Sequence, residues 1–286
     1  MKLLIAALII ISAKIIFAQN SDALRNSLTA TEFSFAEFTG EQGIRDGFLK
    51  FIADDGILFR PGPVNGKEFL LASKKSPGYL TWYPVNAEIS KNRDLGFTTG
   101  PWEYRKDKDS ASIAFGNFCT VWQLQKDGNW KFVIDIGSSN GKPEIEPDPL
   151  YYNKSMISDF KPEKLASDNV DELIAIDKEI SNQLNEKGIE QSFIPFVNNS
   201  SRFLRNDSFP IIGVDNVAKY LNEQKGTYEF SPIAGKISSS NDLGFTYGLV
   251  TVTDKENKTQ KFNYMHIWKK GLSGWKLAVD VIDELP

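Results

Sequence analysis

Three side chains of this 286-residue chain could act as a general acid or base, namely His266, Asp135 and Asp280. An imidazole changes its charge near neutral pH, and a carboxylate beside apolar neighbours has a raised pKa, so either group can shuttle a proton. The two aspartates stand at matching places near the ends of the last strand-like runs of two similar halves. Strict alternation along these runs puts them on the strand faces that carry Val133 and Ala278. These three residues are the candidate catalytic groups.

Each candidate also has a structural interpretation. Alternation places His266 on one strand face with Tyr264 and Trp268, where its imidazole could bond to a backbone group or to the tyrosine. The aspartates could cap turns at the strand ends, or pair with Arg60 and Arg205, which recur at matching positions of the two halves. Catalysis, ligand contact and a structural bond therefore remain alternatives for all three.

Aromatic side chains that carry a polar atom form a second group of candidates. They suit a cavity that holds a flat apolar molecule and orients it through one or two hydrogen bonds. They also suit an ordinary core, or a sheet face that pairs with another domain. The candidate ligand-binding residues are Trp82, Trp102, Tyr104, Trp122, Tyr228, Tyr247, Tyr264 and Trp268.

An internal repeat sets the positions of these residues. Asp94–Gly100 reads Asp-Leu-Gly-Phe-Thr-Thr-Gly, and Asp242–Gly248 reads Asp-Leu-Gly-Phe-Thr-Tyr-Gly. Further matches follow at a nearly constant spacing before and after this motif. The period is far longer than the roughly 20 to 50 residues of a solenoid repeat, so each copy should be a domain with its own core.

The repeated motif is interpreted as structural. Asp94 and Asp242 can close a turn through bonds from side chain to backbone, and Gly96 and Gly244 allow close packing beneath a neighbouring aromatic ring. Elsewhere the copies differ in polar side chains at matching positions, so one copy could keep a site while the other serves as scaffold. These differences are Thr120 against His266 and Thr99 against Tyr247.

Each copy begins with helical patterns and continues as short strand-like runs. Apolar residues recur at helical spacing between residues 21 and 52 and again between residues 167 and 197. The later runs are rich in β-branched and aromatic residues and are bounded by Gly, Pro, Asn and Asp. The pattern predicts an α+β fold of two tandem domains, each with N-terminal helices packed on a mostly antiparallel sheet.

The first nineteen residues have the order of a secretory signal. A lysine at position 2 precedes an apolar run, and Ala18 offers a cleavage site. Ser12 and Lys14 interrupt the run well short of the roughly 20 apolar residues needed to span a bilayer, so stable membrane insertion is not expected after cleavage. The sequence therefore predicts an exported protein, either periplasmic or secreted.

The domain boundaries follow from composition. Residues 143–166 combine several prolines with acidic residues, which is typical of an extended connector. The prediction is a signal peptide at 1–19, a first domain at 20–142, this connector, and a more divergent second domain at 167–286. Two similar domains in one chain can pair as the covalent version of a two-fold dimer, so the two copies are expected to form a pseudo-dimer within a monomeric chain.

Charge and composition exclude several kinds of function. The formal net charge is −4 and there is no basic stripe, so nucleic-acid binding is not expected. The sequence has no metal-ligand cluster, phosphate-cradling loop or Cys-x-x-Cys pair, and we therefore predict no cofactor and no metal. The single cysteine, Cys119, lies in a strand-like run and is interpreted as a small buried residue.

Several runs together resemble the DUF4440 branch of the NTF2-like superfamily, which includes SnoaL-like proteins. After two helices come Phe51–Gly66, Asp94–Gly100, Thr120–Trp122 and Asp127–Lys131. The resemblance covers nearly all of residues 22–137 and is weaker in the second copy. It implies a cone, in which a strongly curved sheet wraps round helices and encloses a cavity. In ketosteroid isomerase, scytalone dehydratase and polyketide cyclase relatives that cavity performs acid–base chemistry on small, mostly apolar molecules.

The resemblance leaves three hypotheses about function. The leading one is an exported protein that binds a small apolar or aromatic molecule in a cone cavity. The second is a cofactor-independent isomerase, cyclase or dehydratase that uses His266, Asp135 or Asp280, although a single histidine cannot match the paired-histidine dehydratase site. The third is an envelope protein-interaction module whose cavities are filled by aromatic side chains.

Overall fold

The computed structural model of the chain describes residues 27–151 and 164–285. The predicted signal peptide and most of the second half of the connector lie outside these ranges. None of the helices in these ranges combines the length and the apolar character needed to cross a membrane.

The first domain consists of helices followed by a strongly hydrogen-bonded sheet. Its sheet has the strand order β2-β1-β7-β6-β5-β3, with β4 paired to β5, and only the β1–β7 pair is parallel. Its elements are α1 (27–42), α2 (Ile44–Phe51), β1 (Ile52–Phe59), β2 (Pro63–Asn65), α3 (Gly66–Ala72), β3 (Tyr79–Trp82), β4 (Asn86–Ile89), β5 (Leu95–Arg105), β6 (Ser112–Leu124) and β7 (Trp130–Asn140).

The second domain repeats this order. Its sheet runs β10-β11-β12-β13-β8-β9, and the β13–β8 pair is again parallel. Both domains therefore have the α+β fold that the sequence predicts, with helices ahead of a mostly antiparallel sheet. Its elements are α4 (Asp171–Lys187), α5 (Ile189–Phe193), a 3-10 helix (Ile194–Phe196), β8 (Arg202–Arg205), β9 (Ile211–Ile212), α6 (Val214–Glu223), β10 (Thr227–Ile237), β11 (Leu243–Thr253), β12 (Thr259–Gly271) and β13 (Gly274–Glu284).

A β-bulge near the start of the last strand changes the face on which each aspartate lies. Trp122 pairs with Phe132 but Val121 pairs with Ile134, so Val133 is an extra residue in β7. The same irregularity leaves Ala278 extra in β13. The strict alternation assumed from the sequence is therefore wrong, because one extra residue reverses the faces of all that follow. Both aspartates lie on the helix-covered side of their sheets, opposite Val133 and Ala278.

The opposite faces of the two sheets pack against each other. One buried apolar cluster combines β5, β6 and β7 of the first domain with β11, β12 and β13 of the second. Cys119 is fully buried in this cluster, as expected for a small apolar residue. Burial of this kind is the main favourable free energy of association, so the contact between the domains is built like a protein core.

The repeated motif reaches across this contact. The Asp94 carboxylate accepts a hydrogen bond from the Ser90 hydroxyl of its own turn (2.7 Å) and one from the Ser239 backbone N–H of the other domain (2.7 Å). Reciprocally, the Asp242 carboxylate accepts from the Lys91 backbone N–H (3.1 Å). The side-chain-to-backbone bonds predicted for these aspartates therefore cross to the other domain in a two-fold manner. Within each turn it is a serine hydroxyl that accepts from the backbone, as Ser90 does from the N–H of Asp94 (3.2 Å).

The motif glycines pack under a leucine rather than under an aromatic ring, which corrects the prediction. A Cβ atom added at Gly96 would lie 2.7 Å from Leu28 Cδ2, and one added at Gly244 would lie 2.6 Å from Leu173 Cδ1. Both leucines are fully buried on the first helix of their domain. The glycines thus allow the helix to approach the sheet closely.

Candidate functional site

The cone of the first domain encloses an open cavity of about 360 Å³. Its walls combine aromatic side chains with polar and small residues, and they come from the helices on one side and the sheet on the other. The polar groups that face it lie close to the mouth and along β7. The lining residues that matter below are Phe35, Phe48, Trp82, Trp102, Tyr104, Ala114, Phe118, Thr120, Asp135, Arg60 and Asp283.

Asp135 is a titratable group that lines this cavity. The β7 bulge brings its side chain to the helix-covered side of the sheet. It pairs with Thr120 on β6, whose hydroxyl donates a hydrogen bond to the carboxylate (2.6 Å). Burial raises the pKa of Asp135 to about 6, while Thr120 and the charge of Arg60 oppose the rise. Around neutral pH the carboxylate is therefore largely ionised and able to accept a proton.

A second carboxylate, Glu32 on α1, lies completely buried beneath the aromatic wall. It accepts hydrogen bonds from the indole N–H of Trp82 (2.6 Å), the indole N–H of Trp122 (3.0 Å) and the hydroxyl of Thr98. Burial raises the pKa of Glu32 to about 7, and the charge of Asp135 contributes to the rise. Glu32 therefore fixes the orientation of the cavity tryptophan Trp82 and is coupled electrostatically to Asp135.

The sequence analysis did not identify Glu32, although a signal was present. Leu28, Glu32 and Phe35 recur at helical spacing, so the carboxylate falls on the apolar face of α1. Asp177 stands at the matching place on α4, between Leu173 and Ile180. A carboxylate on the buried stripe of a helix, repeated in both copies, points to an internal polar partner.

The second domain completes the mouth of the first domain's cavity. Asp283 on β13 lines the opening, and burial raises its pKa while the charge of Arg60 lowers it. The side-chain amide of Asn263 donates to the carbonyl of Pro61 (2.7 Å), next to Arg60. The backbone N–H of Ser139 donates to Asn206 (2.8 Å). The cavity mouth is thus a feature of the two-domain chain.

The equivalent place in the second domain holds a buried charge network instead of a cavity. His266 pairs with Asp280 across β12 and β13, as Thr120 pairs with Asp135 in the first domain. Its Nδ1 lies 2.8 Å from the Asp177 carboxylate. Arg205 donates to Asp280 Oδ2 (2.7 Å), so the structural ion pair weighed for the aspartates is present in this domain.

Aromatic rings close around His266 and fill this second cone. The ring centroids of Tyr264, Phe230 and Trp268 lie 4.7, 5.3 and 5.7 Å from that of the imidazole. Both His266 and Asp280 are fully buried, and the facing atoms His266 Nε2 and Asp280 Oδ1 lie 3.7 Å apart without a hydrogen-bond partner among the described residues. The larger side chain at the position of Thr120 occupies the space that is open in the first domain.

The structure separates the candidate aromatic residues into three groups. Trp82, Trp102 and Tyr104 line the cavity of the first domain. Trp122, Tyr264 and Trp268 are fully buried in the cores, where Trp122 contacts Glu32 and Tyr264 donates to Asp177 (3.0 Å). Tyr228 packs at the edge of the second core, and Tyr247 packs at the edge of the contact between the sheets.

The cavity is equipped for proton transfer and for holding a flat molecule. Within the two described ranges, no group of three or more His, Cys, Asp or Glu residues could hold a metal ion. The chemistry that the cavity's own residues offer is a carboxylate that gains or loses a proton near pH 6, a guanidinium, and aromatic surfaces.

Comparison with known proteins concerns the fold. No protein-family model matches the chain, and no curated protein matches it either. An NTF2-like protein of unknown function from Shewanella oneidensis is 15% identical, and the match covers 39% of this chain and 96% of that one with a TM-score of 0.35. A ketosteroid isomerase-like protein from Erwinia carotovora atroseptica is 15% identical over 38% of this chain and 90% of that one, with a TM-score of 0.32.

A third solved structure, an NTF2-like protein of unknown function from Pseudomonas putida, is 8% identical and covers 39% of this chain and 83% of that one, with a TM-score of 0.34. Each match spans about the length of one domain. Two of these three solved structures are described as NTF2-like, and their similarity to the chain concerns the fold alone.

Proposed function

We propose that the first domain binds a small, mostly apolar or aromatic molecule in its cone, with a polar group of the molecule held by Asp135. The observation that carries this proposal is a half-buried carboxylate that lines an open cavity of about 360 Å³ with several aromatic side chains in its walls. Cavities of this size with few convergent polar groups are typical of small-molecule sites. Export is part of the proposal and rests on the signal-like order of residues 1–19.

The divergence of the two copies favours the first as the binding domain. In the second, His266 and its aromatic neighbours fill the cone, and Arg205 neutralises Asp280 directly. In the first, Thr120 is smaller, and Arg60 makes no ion pair with Asp135 within bonding distance among the described residues. A ligand can therefore reach Asp135 but not Asp280.

A second candidate function, acid–base catalysis without a cofactor, is favoured by the raised pKa of Asp135. A carboxylate with a pKa of about 6 is a stronger base than an exposed aspartate and is still ionised at neutral pH. In this version Asp135 removes a proton from the bound molecule and returns it at a neighbouring atom. His266 and Asp280 would then stabilise the second domain. The filled cone of that domain would suit a protein-interaction module, which is the third hypothesis given above.

Native mass spectrometry of the protein purified from its own compartment tests the binding proposal. We expect a small molecule that is released on denaturation and is absent from the variants Asp135→Asn and Ala114→Phe, the second of which fills the cavity. Asp109→Asn, an exposed aspartate between β5 and β6, is the control and should keep the molecule. Equal retention of the molecule by wild type and Ala114→Phe would place it elsewhere and end the proposal for this cavity.

Catalysis is separated from binding by adding back the released molecule at a concentration that saturates both the wild type and Asp135→Asn. If the released molecule is converted by the wild-type protein, Asp135→Asn should lower the rate by roughly a hundredfold or more, which is the usual contribution of a general base. A molecule that stays unchanged over hours in the wild-type protein would leave binding as the function.

A further inference from the structure

A second cavity, of about 480 Å³, lies outside the cone, where three parts of the chain meet. Trp102 and Phe115 of the first domain form one wall, and Ile145 and Pro147 of the connector form another. Phe209 and other residues around β9 of the second domain form the third. We call it the inter-domain cleft.

The cleft exposes large apolar side chains to solvent. Ile145 is 87% exposed and Phe209 is 52% exposed. The connector is fixed here, because the Tyr83 hydroxyl donates to the Pro147 carbonyl (2.9 Å) and the Leu150 backbone N–H donates to the Pro84 carbonyl (2.8 Å). Exposed apolar side chains on a wall held by hydrogen bonds indicate a formed recess that an apolar molecule can cover.

The cation of the cleft is Arg202, at the start of β8. Its side chain is half-buried and makes no hydrogen bond or ion pair with any described residue. Burial lowers the pKa of Arg202, and among the described residues no carboxylate acts on that pKa. A guanidinium stays protonated in proteins and presents a fork of N–H donors. The N–H donors of Arg202 are therefore available to bind an anion.

The acidic residues of the cleft do not satisfy Arg202. Glu103 receives hydrogen bonds from Arg105, from the Ser112 hydroxyl (2.8 Å) and from the Thr81 hydroxyl (3.2 Å). Glu146 lies on the connector wall of the cleft, where burial and, after it, the charge of Glu146 raise the pKa of Tyr83. Glu103 is thus engaged, and Glu146 and Arg202 stand on two different walls of the cleft without an ion pair between them.

We propose that the inter-domain cleft is a second binding site, which takes an aromatic or alkyl carboxylate. The carboxylate pairs with the guanidinium of Arg202, and the hydrocarbon part covers Phe209, Ile145 and the outer face of Trp102. Apolar walls with one cation match an amphiphilic monoanion better than a multiply charged phosphate, which would need several donors. The proposal does not rest on the function proposed for the cone, and the two cavities share Trp82 and Trp102 as lining residues.

Isothermal titration calorimetry with 4-phenylbutyrate tests this site on the full chain, with 4-phenylbutan-1-ol and 4-phenylbutylamine as ligands of the same shape. We expect saturable binding of the carboxylate at least tenfold tighter than that of the alcohol or the amine, because a charge-assisted bidentate bond is lost in both. Arg202→Gln should weaken carboxylate binding at least tenfold, and Arg202→Lys should restore part of it.

Two further variants locate the bound probe. Ala114→Phe fills the cone but does not line the cleft, so it should leave 4-phenylbutyrate binding unchanged, whereas Phe209→Ala should weaken all three ligands. Thermal unfolding of Arg202→Gln should match the wild type, because Arg202 makes no hydrogen bond or ion pair with residues 27–151 or 164–285. Absence of saturable binding up to 10 mM (roughly the weakest affinity of interest), equal affinity for the three ligands, or loss of binding in Ala114→Phe with retention in Arg202→Gln would each overturn the proposal.

Discussion

Single residues at matching positions have diverged to give the two domains different interiors. Thr120 leaves Asp135 facing an open cavity, whereas His266 lies between Asp177 and Asp280 and closes the second cone. The helix carboxylates have diverged as well, because Glu32 holds two tryptophans and Asp177 holds a tyrosine and a histidine. A change of one side chain therefore decides whether a polar interior is accessible to a ligand or serves only stability.

At the residue scale, Glu32 should make stability fall as pH rises. Its pKa is about 7 in the folded chain against an ordinary glutamate value of 4.5, so the folded state binds more protons between these values and loses stability on going from pH 4.5 to 7. The expected contribution is about 3 kcal/mol. Glu32→Gln should remove this part of the pH dependence, measured by urea unfolding at pH 4.5 and 7.5. Asp135 has a pKa of about 6, so it adds a similar loss in the free energy of unfolding at somewhat lower pH. This loss remains in Glu32→Gln.

The exposed Glu41 on the same helix provides the control for this experiment. Glu41→Gln should keep the wild-type pH dependence. If Glu32→Gln also keeps it, then Glu32 does not carry a raised pKa in solution.

The two matching arginines should differ in their contribution to stability. Arg205→Met leaves Asp280 buried without its 2.7 Å partner, which should cost about 3–5 kcal/mol of the free energy of unfolding. Arg60→Met removes an exposed guanidinium and should cost less than about 1 kcal/mol. Chemical unfolding followed by tryptophan fluorescence measures both. Equal losses would contradict the assignment of a buried ion pair to the second domain alone.

At the scale of elements, the β-bulges set the direction of the aspartate side chains, and the turns between β-strands set the contact between the domains. Each bulge turns an aspartate toward the helices, and each motif turn bonds the opposite domain. Asp135 and Asp280 lie in the middle of β7 and β13, which extend further than the sequence predicts, so these residues are not at the strand ends. The turn aspartates were identified from the repeat, since its residue types are typical of turns. The bulges were not identified from the sequence. Between Trp130 and Asp135 the only sign of an extra residue is a pair of adjacent apolar residues, which is a weak signal.

The crossing turn can be tested through one amide. Asp94→Ala removes the acceptor of the Ser239 backbone N–H, so hydrogen exchange at Ser239 should speed up and the free energy of unfolding should fall by about 1–3 kcal/mol. Asp127→Ala is the matched control, because Asp127 bonds only to Asn129 within its own hairpin turn. Unchanged exchange at Ser239 in Asp94→Ala would mean that the two turns do not meet in solution.

At the scale of the whole molecule, each domain covers the apolar sheet face of the other. The shared cluster includes fully buried residues of both sheets, such as Met265 and Ile134. The mouth of the first cone and the inter-domain cleft both include residues of the second domain. We propose that the second domain acts as a permanent partner of the first, in the way that a second subunit would.

This arrangement predicts a monomer in solution. Light scattering of the chain should give the mass of one molecule across micromolar concentrations, because the sheet faces that could form a dimer are already covered. Small-angle scattering should report one compact particle. A tight dimer at micromolar concentration, or a scattering curve of two separated bodies, would contradict the prediction.

The repeat of two domains, the α+β class, the turn at the repeated motif and the candidates Asp135, Asp280 and His266 could all be predicted from the sequence. They follow from local periodicity and from residue types that recur in order along the chain. The folded chain was needed to see that Asp135 faces a cavity, that His266 and Asp280 are enclosed, and that Glu32 lies behind Trp82. It was also needed to see that Arg202 has no hydrogen-bond or ion-pair partner among the described residues. Such features depend on volumes and on contacts between residues far apart in sequence, so they arise only once the sheets have closed around their helices.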